Sequence, residues 1–235
     1  MKLSILLLCL NEKATIAKAI EQAKQITIDK EIIVIDNYST DGSRELLKAY
    51  QQDKQVRVVL HEKNMGPGFS MREGISLSQG EYFYAPGGDL EYEMNDVYKM
   101  FEKLINEKQD GVFGSRLLVK QGVSKLALIR ERPYWLGTMI ATFLINLLYG
   151  RHFTDIIATK LIKTNILQGL RCQASNQSFE FEMVSMICKN RFRIAEVPVG
   201  YKPRTHKEGK TIKVLDMLPA ILVILKIKFF ARLNK

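Results

Sequence analysis

The strongest constraint on this chain is a series of four short apolar runs in its first part, at 3–10, 31–35, 56–60 and 82–85. The first run is unbroken by polar residues, which is typical of a parallel strand covered on both faces. Segments with helical spacing lie between the runs. This β-α-β-α-β-α-β order predicts an α/β fold with a parallel sheet and right-handed crossovers.

Polar or glycine-rich loops follow each predicted strand. In a parallel sheet of this kind, ligands bind at the carboxyl ends of the strands, so we expect these loops to converge at one edge. The residues concerned are Asn11, Glu12, Asp36, Asn37, Asn64, Gly66, Gly88 and Asp89.

The second half of the chain is less regular. It predicts a short strand beginning at Val112, a strand at 194–199 and three helices. Pro198 lacks a backbone N–H, which indicates an edge strand or a strand end. The predicted helices are at 134–149, 179–189 and 217–230. We predict a single domain at 1–216, followed by an apolar and basic helix within 217–235.

A formal net charge of +10 over 235 residues favours anionic partners such as nucleotides, lipid phosphates or membrane surfaces. A nucleic-acid partner would be inferred from this charge alone, because the chain has no recognised nucleic-acid-binding motif. We therefore expect no nucleic-acid binding. The three cysteines form no C-x-x-C pair, as expected of reduced thiols in a cytoplasmic protein. No secretory signal is evident and no apolar stretch reaches the length of a bilayer span.

Asp36 is the strongest candidate for nucleotide binding. The first strand runs into Leu10, Asn11 and Glu12 rather than a G-x-G-x-x-G loop, which argues against a dinucleotide dehydrogenase. At the end of the second strand, Asp36 can accept hydrogen bonds from a base or a ribose. Asp41, in contrast, fits a turn residue.

Asp89 is the strongest candidate for a metal ligand. It follows a strand and the glycines Gly87 and Gly88, which let a ligand approach the backbone closely. A carboxylate there can hold a divalent cation that neutralises a diphosphate leaving group. Glu91 is either a second ligand or a solvent-facing residue.

The ordered motifs resemble one family over about residues 3–216. They are Leu10-Asn11-Glu12, EIIVIDNYSTDGS (31–43), NMGPGFSMREG (64–74), PGGDLEY (86–92), Gly114-Ser115-Arg116, FEFE (179–182), IAEVPVGYKPR (194–204) and EGK (208–210). Together they resemble family-2 glycosyltransferases of the GT-A fold, a Rossmann-like nucleotide-binding mixed sheet with flanking helices. Within that family they are most similar to dolichol- and polyprenyl-phosphate sugar transferases and related bacterial cell-envelope enzymes.

The resemblance implies a role for each matching residue. Leu10, Asn11, Glu12, Asp36 and Asn37 would contact base and ribose, and Asn64, Gly66, Arg72 and Gly88 would complete the nucleotide pocket. Asp89, Arg116, Glu182, Arg204 and Lys210 would form the catalytic set, with Arg116 and Arg204 meeting phosphates and Lys210 on a mobile loop. Asp89 and Glu91 would bind Mg²⁺ or Mn²⁺.

The sequence departs from the family pattern at several positions. Gly87 replaces the first Asp of the D-x-D metal motif, and Asn37 and Tyr38 stand where Asp and Gly are usual. Pro67 occupies a common Lys position. Arg130 or Arg132 would replace an arginine that often precedes the long helix and binds the acceptor.

The resemblance also implies a reaction. A sugar would pass with inversion from a UDP- or GDP-sugar to a polyprenyl phosphate, whose anionic oxygen needs no strong base. The alternative is a glycan hydroxyl, for which a carboxylate must take the proton. Glu180 and Glu182 are the candidates, and Glu182 matches the family position.

Two other classes of protein compete with this interpretation. A nucleotidyltransferase would open with a Gly-rich loop followed by a basic residue, which the first loop lacks. A non-catalytic nucleotide- or lipid-binding module is favoured by Gly87 and opposed by Asp89, Arg116, Arg204 and Lys210.

The apolar segments at 139–149 and 217–230 indicate contact with a membrane surface. They are too short to span a bilayer, and the second contains Lys226 and Lys228. Apolar helices with basic residues can lie in the interface of an anionic leaflet. Ordinary core packing is the alternative. We therefore predict a cytoplasmic protein that associates peripherally with the membrane face.

Overall fold

A computed structural model of the chain describes residues 2–120, 134–204 and 217–231. Within them, seven strands form one sheet, flanked on both faces by helices. The strands are β1 (Leu3–Cys9), β2 (Lys30–Asp36), β3 (Val56–Leu60), β4 (Tyr82–Tyr84), β5 (Gly111–Ser115), β6 (Lys160–Lys163) and β7 (Ile194–Pro198). The helices are α1 (Ile16–Gln25), α2 (Ser43–Tyr50), α3 (Pro67–Leu77), α4 (Asp96–Asn106), α5 (Tyr134–Tyr149), α6 (Thr164–Gly169), α7 (Ser178–Lys189) and α8 (Met217–Phe230).

The sheet has a parallel half and a mixed half. Its strand order is β3-β2-β1-β4-β6-β5-β7, and the first four of these strands are parallel. Strand β6 is antiparallel to both β4 and β5, while β5 and β7 are parallel. The predicted parallel unit is therefore confirmed. Strand β6 and helices α4 and α6 were not predicted.

Two apolar clusters explain why the first strand lacks polar residues. Leu3, Ile5 and Leu7 belong to the cluster under α1, α2 and α4. Leu6, which points to the other face, belongs to the cluster under α3 and α5 to α8. Both faces of β1 are thus buried, as the unbroken apolar run predicts.

Strand β7 forms one edge of the sheet and ends at Pro198. The missing N–H of proline costs no ladder hydrogen bond at such an edge. This confirms the position predicted for the strand. In the described part of the chain, no helix combines the length and the apolar character needed to cross a membrane.

A buried ion pair joins the two sides of the mixed half. The Arg116 guanidinium, just after β5, donates from Nε to Asp155 Oδ2 at 2.6 Å and from Nη2 to Oδ1 at 3.0 Å. It also lies over the rings of Trp135, at 4.7 Å, and Tyr201, at 5.0 Å. Burial alone would raise the pKa of Asp155, but the charge and hydrogen bonds of Arg116 hold it below its usual value.

We predict that Asp155→Asn lowers the free energy of unfolding by about 3–5 kcal/mol, because it leaves the Arg116 charge buried without a carboxylate. Urea unfolding followed by circular dichroism measures the loss. Glu107→Gln, which breaks the exposed Lys103–Glu107 pair of α4, is the control and should cost at most about 0.5 kcal/mol. Equal effects of the two substitutions would contradict the prediction.

Candidate active site

Three loops at the carboxyl ends of the parallel strands adopt strained backbone conformations. Asn11, Tyr38 and Leu90 follow β1, β2 and β4, and have φ values of 58°, 74° and 57°. Non-glycine residues seldom adopt positive φ, and such strain clusters at functional sites. The edge at which the sequence predicts ligand binding is therefore also the edge where the backbone departs most from ordinary geometry.

The loops after β1 and β2 hold each other in place. The Asn11 backbone N–H donates to Ser39 Oγ at 2.8 Å, and Asn11 Oδ1 accepts from the Thr40 backbone N–H at 2.8 Å. Asp41 accepts from the backbone N–H groups of Lys13 and Ser43, both at 2.9 Å. Asp41 is thus a turn residue, as predicted, and these contacts rigidify the surroundings of Asp36.

Asp36 is fully buried at the end of β2. Its Oδ2 accepts from the backbone N–H groups of Tyr38 and Ser39, each at 3.1 Å, and from Arg44 Nη1 at 2.7 Å. Its Oδ1 is buried and has no hydrogen-bond partner among the described residues. An unsatisfied buried oxygen is costly, so a donor group of a bound ligand would stabilise this site.

Asn37 faces the neighbouring loop. Its Nδ2 donates to Asn64 Oδ1 at 2.9 Å, and its Oδ1 accepts from the Met65 backbone N–H at 2.8 Å. The same oxygen lies 3.1 Å from Nδ1 of His61, whose Nε2 lies 2.6 Å from Glu73 Oε2. Asn37 and Asn64 therefore tie the loops after β2 and β3 together.

Arg204 brings three acidic side chains together. Its Nη1 lies 2.9 Å from both carboxylate oxygens of Glu12, and its Nη2 lies 3.1 Å from Asp89 Oδ2. Its Nε lies 3.7 Å from Glu91 Oε1. Burial raises the pKa of Asp89, the nearby charge of Glu91 raises it further, and Arg204 opposes this. Burial likewise raises the pKa of Glu12, again opposed by Arg204.

Glu91 anchors the segment that carries Arg204. Its Oε1 accepts from the Arg204 backbone N–H at 2.9 Å, and its Oε2 accepts from the Tyr201 hydroxyl at 3.1 Å. Its backbone oxygen also accepts from the Lys202 N–H at 2.8 Å. Both carboxylate oxygens are thus engaged within the protein, which does not fit the metal-ligand role expected for Glu91.

A cavity of about 200 Å³ opens beside Asp89. Its polar lining comes mainly from Asp89, Thr159, Lys160 and Glu180, and most of its other lining residues are apolar. Lys160 is buried, bonds to the carboxylate of Glu180 and lies 5.0 Å from the ring centroid of Phe113. Glu180, on α7, therefore faces this cavity.

Glu182 lies on a different side of α7. Its Oε2 accepts from the backbone N–H groups of Gln173, at 2.9 Å, and Ala174, at 2.8 Å. The expectation that Glu182 is the catalytic carboxylate does not fit this position. Residues two apart on a helix face different directions, and the structure places Glu180 at the cavity.

The comparisons with known proteins agree with this geometry. The profile of the family described as Glycosyl transferase family 2 matches residues 4–170. The chain belongs to this family. The predicted class, a nucleotide-sugar-dependent glycosyltransferase, is thereby confirmed at the level of the family.

This glycosyltransferase is similar to two curated proteins at low identity. The dodecaprenyl-phosphate galacturonate synthase of Rhizobium johnstonii is 23% identical over 99% of the chain and 68% of its own length. The low-salt glycan biosynthesis hexosyltransferase Agl6 of Haloferax volcanii is 23% identical over 86% of the chain. The chain spans 48% of the length of Agl6.

The fold matches solved GT-A structures. Glucosyl-3-phosphoglycerate synthase from Mycobacterium tuberculosis, in complex with Mn²⁺, UDP and phosphoglyceric acid, superposes with a TM-score of 0.71. It is 18% identical, with 98% of this chain and 80% of that chain covered. The predicted fold class, a GT-A mixed sheet with flanking helices, is confirmed.

Several predicted site residues of the glycosyltransferase lie away from the Asp89 cluster. Arg116 is buried against Asp155, so its guanidinium is committed to an internal ion pair and not to a phosphate. Arg72 donates to the Ala174 carbonyl at 3.2 Å and lines a separate cavity of about 320 Å³ between α3, α6 and α7. Leu10 is 42% exposed beside the strained Asn11. Lys210, Arg130 and Arg132 lie outside the described residues.

Two predicted site residues, Gly66 and Gly88, lie where the backbone packs too closely to admit a side chain. Gly66 has φ of +86°, and a Cβ there would lie 2.3 Å from the Ser175 carbonyl oxygen. Gly88 leaves no room either, since its Cβ would lie 2.5 Å from the Leu8 carbonyl oxygen. Both therefore act through close backbone packing at the edge of the pocket.

Sequence reasoning missed Arg44, Lys160 and Tyr201. Arg44 holds Asp36, Lys160 holds Glu180, and Tyr201 holds Glu91. Arg44 did carry a signal, because a cation in the first turn of a helix opposes the helix dipole and therefore indicates a local anionic partner. Lys160 and Tyr201 carried none, since their partners are distant in sequence.

The position at which the metal motif has its first Asp has a backbone conformation that favours glycine. Gly87 has φ of +87°, and a Cβ there would lie 3.1 Å from Asp89 Oδ1. A side chain at this position would be strained by its backbone conformation alone. In this chain the loop therefore offers Asp89 without a companion carboxylate at position 87.

We predict that Gly87→Ala lowers the free energy of unfolding by about 1–2 kcal/mol because of its left-handed backbone. Gly169→Ala is the matched control, since its added Cβ meets nothing within 4 Å. That substitution should leave stability unchanged or raise it by less than about 1 kcal/mol. Thermal unfolding of both variants measures the difference, and a neutral Gly87→Ala would refute the steric explanation.

Proposed function

We propose that this glycosyltransferase moves a sugar, with inversion, from a nucleoside-diphosphate sugar to a polyprenyl phosphate. The observation that carries the proposal is the arrangement of Asp36 and Asp89 at the carboxyl ends of β2 and β4, on either side of β1. In this proposal Asp36 would meet the nucleoside and Asp89 would face the diphosphate. Their position on one sheet edge supports a donor site there.

The donor proposal rests on the buried oxygen of Asp36. Its Oδ1 lacks a hydrogen-bond donor among the described residues, and N–H groups of a base or hydroxyls of a ribose can supply one. Arg44 holds the other oxygen and keeps the carboxylate in place. Solved relatives of the same fold bind UDP, which supports a UDP-sugar over a GDP-sugar.

The acceptor proposal rests on the cavity beside Asp89. Most of its lining is apolar, including Leu6, Leu8, Met71, Phe83 and Ile157, and the buried Lys160 ammonium, paired with Glu180, also lines it. A largely apolar cavity with a few polar groups beside Asp89 suits an acceptor that carries an isoprenoid chain. The name of the Rhizobium johnstonii relative, a dodecaprenyl-phosphate galacturonate synthase, supports the same class of acceptor.

Transfer to a phosphate acceptor needs no general base, because the attacking oxygen is already anionic. An anionic phosphate oxygen forms the new bond to the anomeric carbon, and the bond from that carbon to the β-phosphate oxygen breaks. The electron pair leaves with the nucleoside diphosphate, whose charge Arg204 can stabilise. A hydroxyl acceptor would have to pass its proton to a carboxylate, and Glu180 is the group at the cavity.

A divalent cation fits this site through Asp89. The described residues contain no ready group of three metal-binding side chains. However, Mg²⁺ sites often use one or two carboxylates together with substrate phosphates. Asp89 and Glu12 face each other across Arg204 and would hold the ion. When bound, Mg²⁺ or Mn²⁺ would neutralise charge on the leaving diphosphate.

A purified chain given UDP- and GDP-sugars, Mn²⁺ or Mg²⁺ and a short polyprenyl phosphate should release nucleoside diphosphate only when the lipid is present. Asp89→Asn should lower this release by about 10²-fold or more, because it removes a carboxylate that would hold the cation neutralising the leaving diphosphate. Asp53→Asn, at the half-buried pair with Lys24, is the control. Nucleotide binding without release from any donor would instead indicate a non-catalytic binding module.

The same assay separates the two acceptor classes through Glu180. With polyprenyl phosphate, Glu180→Gln should retain most of the transfer, because no proton has to be removed. With a glycan hydroxyl, the loss should be about 10²–10⁴-fold. Glu182→Gln, two positions further along α7, is the matched control. Transfer to a glycan hydroxyl alone would overturn the polyprenyl phosphate proposal.

We also propose that α5 and α8 rest on an anionic membrane surface. Leu136, Ile140, Phe143 and Leu147 recur at helical spacing along one side of α5, and the last two are 63% and 66% exposed. On α8, Leu222, Phe229 and Phe230 are 66–81% exposed. The two helices pack side by side.

Charge favours a lipid surface over a protein partner for this face. Neither helix contains an acidic residue, and Lys226 is exposed among the apolar residues of α8. Lys228, in contrast, points inward and bonds to the Leu148 carbonyl at the end of α5. A face that is apolar and cationic fits the interface of an anionic bilayer.

The chain should float with vesicles of anionic lipid at low salt and bind neutral vesicles less tightly. Phe143→Glu should weaken binding by at least about tenfold, because it places a negative charge on the contact face. Ile105→Glu is the matched control, since Ile105 is 49% exposed on α4, across the sheet. Failure of the unmodified chain to float at low salt would refute the proposal.

A further inference from the structure

Arg204 occupies the space between the two carboxylates that the proposed function assigns to a divalent cation. Its Nη1 is equidistant from both oxygens of Glu12, at 2.9 Å, and its Nη2 contacts Asp89 Oδ2 at 3.1 Å. A cation bridging Glu12 and Asp89 needs oxygen ligands at about 2.0–2.1 Å for Mg²⁺. The guanidinium and such an ion cannot share that space.

We propose that Arg204 is an internal counter-cation that excludes the divalent cation from Asp89 until a nucleoside diphosphate binds. The diphosphate offers the guanidinium a new anionic partner with the bidentate geometry that arginine favours. Transfer of Arg204 to that partner frees Asp89 and Glu12. Metal binding and nucleotide binding are thereby coupled through one side chain.

The backbone around Arg204 is fixed while its side chain exchanges partners. Glu91 accepts the Arg204 N–H at 2.9 Å and the Tyr201 hydroxyl at 3.1 Å, and the Lys202 N–H bonds to the Glu91 carbonyl at 2.8 Å. The side chain of Arg204 is one-quarter exposed, in contrast to the buried Arg116. The exchange therefore needs only a new rotamer of one accessible side chain.

The position of Arg204 also explains how three acidic side chains can lie close together without a bound ligand. Glu12, Asp89 and Glu91 would repel one another if no cation lay between them. Arg204 supplies that cation in the donor-free chain. This inference rests on the proposed donor site only for the second step, in which the diphosphate takes over the guanidinium.

The test is Mn²⁺ binding to the purified chain in the absence of nucleotide, measured by the loss of the free Mn²⁺ signal in electron paramagnetic resonance. Arg204→Gln should bind Mn²⁺ at least about fivefold more tightly than the unmodified chain, a typical size for coupling between two sites. Lys202→Gln is the matched control. It removes the same charge two residues away, from an exposed pair with Glu93.

Equal Mn²⁺ affinity of the unmodified chain and Arg204→Gln would overturn the proposal. So would an equal gain in Lys202→Gln, because that would indicate a general effect of net charge. If Arg204→Gln fails to fold by thermal melting, Arg204→Met retains the apolar stem and should show the same gain. The readout needs no sugar transfer, so a chain without transferase activity still tests this inference.

Discussion

The buried pair of Arg116 and Asp155 is the interaction on which the geometry of the active site depends. A buried charge is tolerated only when every partner is in place. Here the partners are the Asp155 carboxylate and the rings of Trp135 and Tyr201. Tyr201 in turn bonds to Glu91, and Glu91 anchors the backbone of Arg204. The buried pair thus helps to position, through Tyr201 and Glu91, the Arg204 guanidinium that contacts Asp89.

A second arginine acts in the same way at the end of β2. Arg44 holds Asp36, as Arg204 holds Glu12 and Asp89. In both cases a guanidinium fixes the orientation of a buried or half-buried carboxylate before any ligand arrives. Preorganisation of this kind avoids the cost of ordering the side chains on binding. The difference is that Arg44 remains with its carboxylate, while Arg204 faces the space in which the diphosphate is proposed to lie.

The first half of the chain could be predicted because burial on both faces leaves an unbroken apolar run, as in β1. The mixed half could not, because β6 is only four residues long and contains two lysines that pair with Glu180 and Asp110. Site residues followed the same division. The site roles of Asp36 and Asp89 were predicted from their place after strands and stay predictions, whereas the burial of Arg116 depends on Asp155, 39 residues away. Likewise, the choice between Glu180 and Glu182 depends on the rotation of α7, which spacing alone does not determine.

The sheet order has a consequence for how the chain acquires its shape during synthesis. Strands β3, β2, β1 and β4 are adjacent in space and all emerge within the first 84 residues. Their pairing closes short stretches of chain, so little loop-closure entropy opposes it. Strand β5 can join these strands only after β6 has been synthesised, because β6 lies between β5 and β4 in the sheet. The parallel half of the sheet can therefore pair first, and helices α5 and α8 are added to a framework that already exists.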